Sequence, residues 1–170
     1  MKYTSSEANK LLRRLNEERN ALLDKEEKSS TFLAAMGEDP EMLRPEYDYG
    51  ETQKALAELD RKIRVVKHAI NGFNLNCVVP GFQMTIDQML VYIPQLTARK
   101  QKLAQMMSRL PKQRDMGSLY GHTGNIIDYS YANYDIKAAE ADYEAVSDEL
   151  ARAQTALDVL NNTETMEIEI

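Results

Sequence analysis

Between Ile136 and Leu160 the residues Ile136, Ala139, Tyr143, Val146, Leu150, Ala153, Leu157 and Leu160 recur at alternating steps of three and four. A stripe of this period can only be buried by an α-helix, and its width is that of a seam packed against neighbouring helices. Three further segments repeat the pattern. One runs through Ala8, Leu11, Leu12, Leu15 and Leu22, and the next through Leu56, Leu59, Ile63, Val66 and Ile70. The last passes through Met89, Ile93, Leu96, Leu103, Met107 and Leu110, with polar Lys100 at one stripe position. The helix starts carry side chains that satisfy free amides. Thr4 with Glu7, Asp48 with Glu51, and Thr85 with Gln88 have capping-box spacing, and Asp135 caps the fourth helix. Pro94 falls inside the third helix, where it removes a backbone donor and should bend the helix. The spacing therefore predicts an all-α protein, an elongated antiparallel four-helix bundle with helices of about 25 residues and about 38 Å.

The chain has 170 residues, enough for one domain with a real core, and residues 1–170 are read as a single helical-bundle domain. Only 7 glycines and 5 prolines occur, which favours long helices over a turn-rich β fold. The amino-terminal MKYTSSEANKLLRRL has no apolar signal core, and no run approaches the roughly 18 apolar residues of a membrane span. A cytoplasmic protein with no membrane association is expected. Cys77 is the single cysteine and there are 2 histidines, so neither an internal disulfide nor a Cys/His zinc cluster is expected, nor any other metal or cofactor.

The connections 37–50, 72–84 and 111–134 are longer than ordinary helix–helix links. Two alternate like strands, through Leu75, Cys77 and Val79 and through Ile127, Tyr129 and Tyr131, and the tail MEIEI does the same. Three such strands would pair into one small sheet at an end of the bundle, or pair with a second chain and so avoid an open edge. A homo-oligomer is the expectation.

The stretches KHAINGFN, VVPGFQMTIDQMLVYIPQL, RLPKQR, YSYANYDIKAAEADY and AQTALDVLNNTETMEIE together cover most of the chain. In these the sequence resembles the septicolysin-like family of bacterial proteins, the AQxALDxxNxT ending being the most specific part. The resemblance implies a helical, oligomeric, cytoplasmic protein of uncharacterised activity, and it brings no catalytic residues with it. A pore former would need an apolar insertion segment or a strongly amphipathic basic helix, and neither occurs.

Charge is unevenly distributed. Residues 76–118 carry six basic and two acidic side chains, whereas 119–170 carry two basic and eleven acidic. Arg99, Lys100, Lys102, Arg109, Lys112 and Arg114 follow one another with no acid between them. The plain reading sets this basic helix end against the acidic fourth helix. The sharper reading is an anion site continuing into the loop LYGHTGNIIDYSY. There Lys112 and Arg114 would pair phosphate, His122 and Thr123 would donate hydrogen bonds, and Tyr120 or Tyr129 would stack on a base. Gly121 and Gly124 otherwise read as turn residues. A catalytic role for His122 would need an orienting carboxylate and a nucleophile, and no established motif links it to Asp115, Ser118 or Asp128. His68 falls off its helical stripe on a solvated face. The net charge of −6 argues against duplex nucleic acid as a partner. The function expected is that of a self-assembling interaction or scaffold protein without catalytic activity. The alternative is an oligomeric protein that captures an anionic small molecule such as a nucleotide or cyclic nucleotide, and a cytolysin-like or enzymatic role ranks third.

Overall fold

The computed structural model describes residues 1–114 and 128–170. In chain order these form β1 (Lys2–Thr4), α1 (Ser5–Ser29), α2 (Pro40–Leu43), α3 (Tyr49–Asn76), β2 (Val78–Val79), β3 (Met84–Thr85), α4 (Ile86–Met107), β4 (Lys112–Arg114), β5 (Tyr129–Tyr131), α5 (Ile136–Thr163) and β6 (Thr165–Glu167). The protein is mainly helical, as the stripes require. It divides into two compact units, one of residues Met1–Cys77 with Val159–Ile170, the other of Val78–Asp158.

In the first unit α1 and α3 run antiparallel. Arg19 Nε reaches Asp60 Oδ1 at 2.6 Å near the middle of the pair, and Glu26 meets Tyr47 and Gln53 further along. The two stripes meet in a core of Ala8, Leu11, Leu15, Val66 and Ile70, which Met166 and Ile168 of the carboxyl-terminal segment complete. That segment is held by β1, with Lys2 opposite Glu167, Tyr3 opposite Met166 and Thr4 opposite Thr165 in antiparallel register. Alternation places Met166 and Ile168 inward and Glu167 outward. Thr4 is both the end of β1 and the N-cap of α1, where it forms the expected reciprocal box with Glu7.

In the second unit β2 and β3 form a hairpin around Pro80-Gly81. The Phe82 amide donates to the Val79 carbonyl at 3.3 Å, and Gly81 has φ +83°, the left-handed conformation that position i+2 of such a turn demands. Thr85 then caps α4 with Gln88. The start of α5 is held by Asp135, whose side chain accepts from the Lys137 amide at 2.9 Å. Helices α4 and α5 also run antiparallel, tied by Tyr92 to Glu149 at 2.5 Å and by the Lys100 ammonium 5.5 Å from the centre of the Tyr143 ring. Lys100, half-buried, thus keeps its place in an apolar stripe by setting its charge over a ring face. Pro94 lies inside α4 as the sequence indicates.

Three expectations need correction. The strand segments do not share one sheet: among the described residues, which leave out Ile127, three separate two-stranded antiparallel ribbons form, β1–β6, β2–β3 and β4–β5. Each contains a strand with no legible alternation, because β1, β3 and β4 have only two or three residues. Leu75 belongs to the last turn of α3 and is exposed, and Cys77 is its half-buried C-cap rather than a strand residue. Leu110 lies beyond the end of α4 and is 61% exposed, so the α4 stripe stops at Met107.

Candidate functional site

The loop singled out by its glycine-bracketed histidine is reached through β4 and left through β5. Tyr120, His122 and Thr123 lie outside the described residues, whereas Lys112, Arg114 and Tyr129 sit together on this ribbon. Its base is anchored to the end of α4. The Tyr134 hydroxyl donates to the Met106 carbonyl at 2.8 Å, adding a second donor to an acceptor that the Arg109 amide already meets at 3.2 Å. The Ala132 amide donates to the Pro111 carbonyl at 3.1 Å, which sets the register: Lys112 opposite Tyr131, Gln113 opposite Ser130, Arg114 opposite Tyr129.

Strand alternation then sorts the side chains. Lys112, Arg114, Tyr129 and Tyr131 share one face and Gln113 with Ser130 the other, all six being exposed. The Lys112 Nζ lies 4.2 Å from the centre of the Tyr129 ring and 5.5 Å from that of Tyr131, a cation–π contact with its diagonal and its direct neighbour. Among the described residues no carboxylate lies in ion-pair contact with Arg114. A guanidinium in that position presents a planar fork that matches a carboxylate or phosphate. The face therefore offers one cation held by aromatic rings and a second, exposed one two residues along the strand. Three of the six residues expected at an anion site are brought together here. Tyr131 was missed as the second ring under Lys112. The alternation of Tyr129 with Tyr131 and of Lys112 with Arg114 was the available signal.

A second feature lies in the first unit. A groove of about 650 Å³ runs between the flank of α3 and the carboxyl-terminal strand, with Val65, Ala69 and Ile168 along its floor. Arg64 and His68 form its helical rim, and Glu167 and Glu169 its strand rim. His68 is exposed, as its place off the stripe indicates, and it borders this groove. Elsewhere, burial raises the Cys77 thiol, and neighbouring Glu164 raises it further, which makes the thiolate harder to form. Among the described residues no three His, Cys, Asp or Glu side chains are placed to hold a metal ion. Among them, too, no helix is long and apolar enough to cross a membrane.

No protein-family model and no curated protein matches the chain. In fold it is similar to a crystal structure described as a functionally unknown conserved protein from Corynebacterium diphtheriae. The likeness has a TM-score of 0.60 over 98% of this chain and 100% of that one, at 14% sequence identity. At that identity the likeness is one of fold alone.

Proposed function

We propose that the protein is a cytoplasmic, self-assembling helical interaction protein without catalytic activity, its four long helices acting as one antiparallel bundle. The observation that supports this reading is the set of three short, separate ribbons among the described residues, each strand of which has an edge with no further strand beside it. Two-stranded ribbons are marginal alone, and open edges are templates for pairing with another chain. The large apolar side chains exposed between α1 and α3, Leu33 at 96% and Met42 at 85%, add surface that association would cover. The resemblance to septicolysin-like proteins points the same way, toward an oligomer. Native mass spectrometry of the protein purified from its host reads subunit number and retained small molecules together. A multiple of the chain mass is expected, and a single-chain species alone would contradict the proposal.

A second reading is favoured by the β4–β5 ribbon in particular: capture of a phosphate-bearing small molecule by Arg114 and Lys112, with Tyr129 and the loop residues Tyr120, His122 and Thr123. Removing Arg114 should cost such a complex about 1.5 to 3 kcal/mol, the range for hydrogen bonds to charged groups. Thermal-shift measurements with nucleotides, cyclic nucleotides and sugar phosphates test it. A ligand that stabilises wild type and fails to stabilise Arg114→Ala supports capture, and equal stabilisation of both proteins opposes it.

A further inference from the structure

The β4 edge of the β4–β5 ribbon and the β6 edge of the β1–β6 ribbon are complementary in charge and in hydrogen-bond phase. In an antiparallel ladder, residues that exchange bonds with their partner alternate with residues whose N–H and C=O point outward. In the first ribbon the Met1 ammonium donates to the Ile168 carbonyl at 3.0 Å, and the Ile168 amide donates to the Met1 carbonyl at 2.9 Å. Ile168 and Met166 therefore face β1, Glu167 directs its backbone groups to the outer edge, and exposed Glu169 follows two residues on, just past the end of β6. In the second ribbon the Ala132 amide donates to the Pro111 carbonyl, so Pro111 and Gln113 face β5. Lys112 and Arg114 are then the outward-facing residues of β4. One edge presents two glutamates two residues apart, the other a lysine and an arginine at the same spacing.

We infer that the protein assembles by antiparallel addition of β4 of one copy to β6 of another, Lys112 opposite Glu169 and Arg114 opposite Glu167. This inference rests on the self-assembly reading and names its contact. Residues directly opposite in a bonded pair project on the same face, so each cation meets a carboxylate while the backbone groups exchange hydrogen bonds. Like edges are disfavoured, because β6 against β6 sets glutamate beside glutamate and β4 against β4 sets cation beside cation. Opposite Ile168 comes Gln113, whose amide projects over the groove beside α3, where Arg64 and His68 supply polar partners on the rim. The Lys112 ammonium, already on the rings of Tyr129 and Tyr131, is pre-positioned on the face where the carboxylate arrives. Each copy carries one edge of each kind, so the contact is head-to-tail and propagates as a closed ring or an open chain.

Charge reversal and mixing test this on the full chain. Lys112→Glu with Arg114→Glu leaves two acidic edges, and Glu167→Lys with Glu169→Lys leaves two basic ones. Each double variant is expected to sediment at the single-chain mass, and an equimolar mixture to recover association well above it, because copies of the two variants alternate and each contact between them is again between opposite charges. All four positions are exposed, and circular dichroism checks that both variants keep wild-type helicity. If either unfolds, the neutral pairs Lys112→Gln/Arg114→Gln and Glu167→Gln/Glu169→Gln replace them. Each is then expected to raise the concentration needed for assembly at least tenfold. Wild type that assembles while the variants assemble equally well, or a mixture that fails to recover, overturns this contact and leaves self-assembly standing. A wild type that stays at single-chain mass overturns both.

Discussion

Tyr47 donates its hydroxyl proton to Glu26 Oε1 at 2.7 Å, and the Gln53 amide donates to the same oxygen at 2.7 Å. The hydrogen bond to Glu26 is the main reason that the Tyr47 phenol is pushed up to about 12, with desolvation and the neighbouring carboxylate charge adding to it. A folded-state pKa above the ordinary value of about 10 means that folding favours the neutral phenol. Its contribution is complete below pH of about 10 and is lost as pH rises through about 12. Urea denaturation should find Tyr47→Phe less stable than wild type at pH 8, with the gap closing between pH 10 and 12. A gap that is absent at pH 8, or constant to pH 12, would contradict the assignment. Local signals of this scale were partly legible. Thr4 with Glu7 and Thr85 with Gln88 are three residues apart, and their caps depend on nothing else in the fold. The Tyr47–Glu26 bond was not, because it joins residues 21 apart that meet only once α1 and α3 are paired. The placing of Lys112 on two tyrosines likewise depends on a ribbon register that no local pattern announces.

The helices are where sequence and structure agree most closely. Ala139, Val146, Leu150, Ala153, Leu157 and Leu160 are all buried, as the three-and-four stepping of α5 requires, and Val159 between them is 56% exposed. Leu150→Ala should lose about 2 to 5 kcal/mol of stability, through transfer energy and a residual cavity. Chemical denaturation measures it, and a change within about 0.5 kcal/mol, the ordinary range for surface positions, would mean that Leu150 is not packed. Strands were harder for a physical reason. A helix of 28 residues repeats its period many times, whereas β1 has three residues and no repeat at all. Its existence depends on β6, which lies at the opposite end of the chain. The alternation of MEIEI announced a strand, and only the closed ladder from Met1 to Ile168 identifies its partner. The same ladder separates Met166 and Ile168, which complete the core of α1 and α3, from Glu167, which faces out.

At the scale of the whole molecule, the uneven distribution of charge acquires a structural meaning. The basic stretch that ends at Arg114 finishes in an exposed edge strand, and the acidic stretch that begins beyond it finishes in another. A net charge of −6 alone would keep copies apart, whereas the proposed contact would set Glu167 and Glu169 against the Lys112 and Arg114 of a neighbour. Such an assembly should weaken as salt rises, since exposed charges are screened over about 10 Å at 0.1 M ionic strength. The anion-binding alternative draws on the same Lys112 and Arg114, and it differs in needing no second copy. Self-association is read by multi-angle light scattering at tens of micromolar. A mass at least twice the 19.4 kDa of one chain is expected, falling toward it as salt is raised, and a mass of 19.4 kDa at low salt and every concentration would rule self-association out.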